Sequence, residues 1–290
     1  MPHWERRARL TSNLKHISIN SAKVLESLQK ARMQFSIDFH EVVDSTNLEI
    51  RRLVGAKEGA IVCALQQTGG YGRQGRAWQS PLGGLYFSML LNPASHGVRQ
   101  ENFPQISCVA ALAMQKCLSR FACDNLDEVS IKWPNDILLG PNKIAGISLE
   151  VFNGLICMGC GINVSRPKIQ EPIAGKYSPA YLHDHIDFSK TENKAKCDFT
   201  QVIEELLADF CHHFSALYST WLLDGLENII EEYNMHSYLI NRQIILESIN
   251  GKQLAQGLVC GVDSSGAIML KTASKLSAYH AGEAHVVGIE

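Results

Sequence analysis

Twenty residues, IKWPNDILLGPNKIAGISLE at positions 131–150, constrain this chain most. Ile131, Trp133, Ile137 and Leu139 alternate as in a half-buried strand, Gly140-Pro141-Asn142 predicts a turn, and Ile144, Ile147 and Leu149 carry the chain back. The pattern predicts a β-hairpin, and so a sheet for it to join. Against it stand Lys132, Pro134, Asn135, Asp136 and Lys143. Proline gives up a ladder hydrogen bond, and Asn-Asp favours a turn. On a strand, Lys132, Pro134 and Asp136 share one face. Such a hairpin is either a solvated edge or a core element that serves a polar ligand.

The chain has 290 residues, 46% of them apolar, enough for one large domain and a smaller one. Its net charge of −2, with both signs scattered, argues against DNA or a membrane surface as partner. Nine cysteines without a regular framework, and no secretory leader, predict reduced thiols and a cytoplasmic protein. No apolar run approaches the roughly 20 residues of a membrane span. Cys157 and Cys160 form a C-x-x-C, but in the strand-like GLICMGCGINV they face opposite sides and read as core thiols. Cys211-His212-His213 lies in a helical pattern. No metal site is expected on the protein itself.

Residues 1–20 read as a loosely packed lead-in, and SAKVLESLQKA (21–31) as a helix. A strand near 36–43 follows. In DSTNLEIRRLV, Thr46 and Glu49 have capping-box spacing. Strands are predicted at 60–67, 85–92 and 155–162, a helix near 103–120, and an irregular stretch at 165–198. Phe199, Val202, Ile203, Leu206, Leu207, Phe210, Phe214 and Leu217 then mark one face of a long helix. Beyond residue 238, short β runs broken at Asn250-Gly251 and Asp263-Ser264-Ser265-Gly266 predict a small barrel or sandwich. The expected division is 1–237 and 238–290.

The loop QQTGGYGRQGRAW (66–78) combines glycines, which expose backbone N–H groups, with the guanidinium forks of Arg73 and Arg76. That suits a phosphate or carboxylate; alternatively it is a flexible loop with solvated arginines. It lacks the Lys-Ser/Thr of a P-loop, and a strand rather than a dinucleotide-binding helix follows. DSTN (44–47) brings hydroxyls and an amide to a helix N-terminus, and GCGIN (159–163) lets something approach a strand closely.

Taken in order, DSTN, GRQGRAW, KWPNDI…KIAGISLE and GCGINV resemble the biotin protein ligase family, from about Phe39 to Asn163. The resemblance implies an α+β fold: a mixed, largely antiparallel sheet flanked by helices, like a class II aminoacyl-tRNA synthetase, plus a C-terminal SH3-like β-barrel. It implies that biotin and ATP, with Mg2+, yield biotinyl-5′-AMP, and that biotin then passes to one lysine of a carboxyl carrier protein such as that of acetyl-CoA carboxylase. Arg73, Arg76, Lys143 and Asp136 are the catalytic candidates it implies. Biotin is expected against Ser45, Thr46, Asn47, Gln67, Gly70, Tyr71, Gly72, Arg73, Lys143 and Gly146. The nucleotide is expected against Arg73, Arg76, Trp78, Asn135 and Asn163, with Trp133 as a further apolar wall. Arg242 and the GEAHVV strand contribute either to the nucleotide site or to packing.

One position departs from the family's pattern. Tyr71 stands where an arginine is frequent, which removes a cationic contact from the loop. A lipoate or octanoyl ligase of similar fold, which would need an apolar tunnel, is the competing enzyme; a biotin-sensing repressor is the competing non-enzyme. With 43 residues before Asp44 and no basic recognition helix, no sequence-specific DNA binding is expected. The resemblance is compatible with a homodimer formed by side-by-side sheet pairing.

Overall fold

A computed structural model describes residues 19–53, 55–121, 129–167, 178–185, 199–248, 250–273 and 275–287. The lead-in before residue 19 and most of the irregular stretch 165–198 lie outside these. Helix α1 (Ser21–Ser27) is capped by Asn20, whose side chain accepts the Lys23 N–H at 3.1 Å. It is shorter than the 21–31 expected, ending at Leu28.

Seven strands form the main sheet: β1 (Ser36–Val43), β2 (Ala60–Gln67), β3 (Gly84–Leu91), β4 (Val129–Lys132), β5 (Asp136–Leu139), β6 (Asn142–Phe152) and β7 (Leu155–Asn163). Their order is β1-β2-β3-β7-β6-β5-β4. Only β1 and β2 run parallel, joined across helix α2 (Thr46–Arg52) as parallel neighbours require. The sheet is therefore mixed, as expected.

Helices α3 (Ile106–Phe121) and α4 (Phe199–Asp224) cover one face, and α5 (Glu227–Met235) follows α4. Leu85, Phe87, Met89 and Leu91 of β3 and Met158, Cys160 and Ile162 of β7 point into this helical layer. The stripe on α4 carries an aromatic column at spacings of four, four and three residues: Phe210, Phe214, Tyr218 and Trp221 stack at 5.7, 5.4 and 5.7 Å. Phe87 meets its first ring at 5.0 Å. The other face carries α2 over a smaller cluster of Ile50, Val62, Leu90 and Cys157. Cys157 and Cys160 thus face opposite layers, both as buried free thiols.

The C-terminal sheet contains β8 (Gln243–Glu247), β9 (Gln253–Val262), β10 (Ile268–Lys271), β11 (Leu276–Tyr279) and β12 (Glu283–Val286), in the order β11-β10-β9-β8-β12, all antiparallel. Both predicted breaks are turns within it, Gly251 donating to the Ser248 carbonyl and Gly266 to that of Asp263, each at 2.9 Å. Ile244, Leu246, Val259, Ile268 and Leu270 belong to the same hydrophobic cluster as the main core.

The 131–150 hairpin is the main correction. Its first half is two strands, broken at Trp133-Pro134-Asn135, where the Trp133-Pro134 peptide is cis. Lys132 pairs with Asp136 across this turn instead of following it along one strand. Three ties hold the turn. Ser107 of α3 donates to the Pro134 carbonyl at 2.9 Å, the Trp133 indole N–H donates to the Gly266 carbonyl at 3.0 Å, and Asn135 bonds to Ile147. Trp133 is 2% exposed, so it acts as the joint between the two sheets more than as an open wall. Trp133→Phe, which removes the donor and leaves a smaller ring in a buried site, is expected to cost about 1 kcal/mol for the lost hydrogen bond and more for the space vacated. It should lower the urea midpoint at constant m-value; an unchanged midpoint would show that neither the bond nor the packing of the indole holds the two sheets together.

Candidate active site

Strand alternation builds the floor. On the face away from α3 and α4, β6 presents Gly146, Ser148 and Glu150, and β7 presents Gly159 and Gly161, with Gly146 paired to Gly161 and Ser148 to Gly159. Above this floor lies a cavity of about 1060 Å³, walled by Ser45–Asn47, the loop 66–81, Trp133–Asp136, Lys143 and Gly282–His285. It exceeds the usual span for one small ligand and leaves room for two substrates joined end to end.

One end is a hydroxyl–amide cluster. Ser45 is the N-cap of α2, but its side chain makes no capping bond. The predicted capping box does not form, because Thr46 sits inside the helix and turns its hydroxyl to Gln67. The Gln67 Oε1 accepts both the Thr46 N–H at 2.8 Å and its O–H at 3.1 Å. That fixes the amide, whose Nε2 donates to Ser80 Oγ at 2.8 Å, and Ser80 donates on to the Trp78 carbonyl at 3.1 Å. Behind them Ser88, fully buried, lies 2.8 Å from Thr46 Oγ1 and 2.6 Å from Asn47 Oδ1. Ser80 and Ser88 were not singled out from the sequence. For Ser88 the available signal is a serine within the apolar strand β3; Ser80, in the loop before it, carries none.

Toward the other end the cations gather. Arg73 donates to Asn135 Oδ1 at 2.8 Å, and Lys143 Nζ lies 2.6 Å from Asp136 Oδ1. Two separate segments thus converge on adjacent residues. Burial pulls the Arg73 guanidinium below the usual arginine range, Asp136 opposing the shift and Arg76 adding to it. Lys143 reaches this face through a β-bulge. Ile137 pairs with Ala145 but Leu138 with Lys143, so Ile144 is an extra residue that reverses the alternation before it. The ammonium consequently lies above Gly146 and 4.9 Å from the Trp78 ring centre.

The other expected residues divide. The Asn135 amide is committed to structure, since Nδ2 donates to the Ile147 carbonyl at 2.6 Å while Oδ1 holds Arg73. Arg76 lines the cavity but pairs with Glu283 of β12, so the GEAHVV strand does reach the site. Arg242 instead stacks on Tyr238, 4.1 Å from its ring centre, and is not part of the cavity wall. Asn163 lines the wall and donates to the Lys143 carbonyl at 3.3 Å. Gly70 and Gly72 belong to the loop stem, where Trp78 N–H bonds to the Gly70 carbonyl at 2.9 Å and Gly72 N–H to that of Arg76 at 2.8 Å. A Cβ on Gly70 would lie 2.4 Å from Ser80 Oγ, so glycine is required there by contact. Among the described residues, no group of three His, Cys, Asp or Glu side chains could hold a metal ion.

Residues 39–163 match the model of the biotin/lipoate A/B protein ligase family. The biotin–[acetyl-CoA-carboxylase] ligase of Paracoccus denitrificans is 30% identical over 234 residues, covering 79% of this chain and 91% of that protein. The bifunctional ligase/repressor BirA of Bacillus subtilis is 28% identical over 262 residues, 88% of this chain and 75% of that protein. Among solved structures, the biotin protein ligase from Aquifex aeolicus in complex with biotin and ATP aligns with a TM-score of 0.71. It covers 87% of this chain and 98% of that one, at 24% identity, a likeness of fold.

Proposed function

The chain belongs to the biotin protein ligase family, and from that premise we propose how its own residues divide the work of joining biotin to ATP and passing it to a lysine. Convergence of Arg73 and Lys143 on Asn135-Asp136, in the same cavity as a hydroxyl–amide cluster, is the observation that carries this reading.

Biotin's ureido ring, with two donors and an acceptor, suits the Ser45–Thr46–Gln67 end. An apolar tunnel for lipoate would not place Ser45, Thr46 and Asn47, all buried, against the ligand. In the first step a carboxylate oxygen of biotin attacks the α-phosphorus, and the bond to the pyrophosphate leaving group breaks. Two anionic groups must meet. Arg73 and Lys143 offset their repulsion and stabilise the charge that builds on the phosphoryl oxygens. In the second step a carrier lysine attacks the anhydride carbonyl, AMP leaves, and the amine gives up a proton.

Asp136 fits a role in that second step. While paired to Lys143 its carboxylate is occupied. A phosphate that draws the ammonium away leaves Asp136 unpaired beside the anhydride, where it orients the incoming amine and accepts its proton. Magnesium, which favours oxygen ligands and a few carboxylates, would travel on the ATP phosphates, with Asp136 and Glu283 as the carboxylates nearest the cations. When bound, it would offset phosphate charge.

On this reading residues 1–237 form the adenylate-forming unit and 238–290 a module that lends Glu283 to it. The chain works in the cytoplasm, does not read DNA, and any homodimer pairs through the β1 edge of the main sheet, since Ile131 of β4 already bonds to His236 and Tyr238. No described helix is long and apolar enough to cross a membrane.

Incubation with biotin, ATP, magnesium and a biotin carboxyl carrier domain should add one biotin mass to the carrier and release pyrophosphate. Labelling with lipoate but not biotin would reverse the assignment. Pyrophosphate release without transfer to any carrier would restrict the function to the first step.

A further inference from the structure

Tyr71, which replaces a frequent arginine, does not leave the loop untethered. Its hydroxyl lies 3.5 Å from Glu150 Oε2 on the cavity floor strand β6. Burial first, and then the Glu150 charge, push the phenol upward, so it stays protonated and able to donate. The carboxylate it meets is held in place from two other sides. Asn47 Nδ2 donates to Oε1 at 2.7 Å, and Arg51 of α2 pairs with Oε2 while its guanidinium lies 5.1 Å from the Phe152 ring centre. Glu150 therefore joins the Asn47 end of the biotin pocket to the stem of the loop that must cover the nucleotide.

The loop has three docks on three separate elements. Arg73 bonds to Asn135 in the β4–β5 turn, Arg76 pairs with Glu283 on β12, and Tyr71 meets Glu150 on β6. The first two draw on cations that substrate phosphates would compete for. The third is neutral at the loop end, so arrival of an anion does not displace it. Its stem is itself a closed hairpin, with Tyr71 bridged to Ala77.

We propose that Glu150 is a positioning residue that clasps Tyr71 and keeps the glycine–arginine loop seated over the cavity while the two arginines exchange their protein partners for phosphate. This rests on the biotin ligase reading for its consequence, though not for the contact itself. A seated loop shields a mixed anhydride from water. Loss of the clasp should therefore raise hydrolysis relative to transfer.

Tyr71→Phe and Glu150→Gln, singly and together, test it. The ratio of pyrophosphate released to biotin transferred should rise about fivefold in Tyr71→Phe, the scale of one modest hydrogen bond. The double variant should be no worse than Glu150→Gln alone, as groups that act only through each other require. Trypsin cleavage after Arg73 and Arg76 in the ligand-free protein should quicken in the same non-additive pattern. That readout needs no ligase activity, so it judges the clasp even if biotin transfer is never observed. A wild-type cleavage rate in Tyr71→Phe, or strictly additive effects in the double variant, would overturn the proposal. A thermal midpoint that falls in step with cleavage would assign Glu150 to general stability instead.

Discussion

Lys143→Ala is expected to cut pyrophosphate release from biotin and ATP at least tenfold, and by roughly 10²–10³ if the ammonium acts as a full transition-state contact. The loss should be one of chemistry and not of folding. Lys143 holds its segment through the main chain, its N–H bonding to the Ser178 carbonyl at 3.2 Å and its carbonyl accepting the Ala180 N–H at 2.9 Å. Alanine keeps both. What disappears is the ion-pair partner of Asp136, whose carboxylate would then add to the negative charge at the site. Lys143→Ala/Asp136→Asn should consequently recover part of the adenylation rate while transfer to the carrier stays slow. Arg73→Ala is expected to fall at least tenfold as well, for two reasons: it removes a guanidinium and frees Asn135 Oδ1. Wild-type turnover in both single variants, measured by pyrophosphate release at saturating substrates, would show that the phosphoryl group sits elsewhere.

How these residues meet was only partly legible in the sequence. Alternation places Gly146, Ser148 and Glu150 on one face of β6, and Gly159 and Gly161 on one face of β7, so the polar floor follows from the period of a strand. The α4 stripe and the C-terminal turns were legible for the same reason: each is a local pattern whose partner is adjacent in the chain or fixed by periodicity. Lys143 was not. Strict alternation assigns it to the helical layer with Ala145 and Ile147, and only the extra residue at Ile144 returns it to the site. A bulge is set by how two strands share their hydrogen bonds, which composition does not encode. The capping box failed for a related reason. Thr46 had the right spacing, yet a residue on β2 offered its hydroxyl a better-placed acceptor across the fold. Likewise the Arg76–Glu283 pair spans the two sheets, and nothing local in GRQGRAW points to β12.

Gly159→Ala is the second large effect expected, and it tests the floor in place of the cations. A Cβ there would lie 2.3 Å from Asn47 Oδ1 and 2.8 Å from Ser148 Oγ, closer than such contacts permit. Asn47 cannot retreat cheaply. It is 3% exposed, its oxygen lies 2.6 Å from Ser88 Oγ, and its amide nitrogen holds Glu150 at 2.7 Å. Displacement would also move Ser45 and Thr46, its neighbours at the start of α2. A shift on the order of 1 Å in positioning groups can cost about a hundredfold in rate, and we expect biotin KM to rise on the order of a hundredfold as the pocket moves. Overpacking should cost about 1–3 kcal/mol in stability besides. Gly161→Ala supplies the contrast from the next inward position of the same strand. Its Cβ would lie 2.5 Å from Trp78 Nε1, far from Asn47, so the displaced group is the loop tryptophan expected against the nucleotide. Gly161→Ala should therefore weaken ATP use while biotin binding by calorimetry stays near wild type. If both glycine variants depress biotin binding alike, the two substrates do not divide along β7 as proposed, and the ureido end must be sought on another part of the floor.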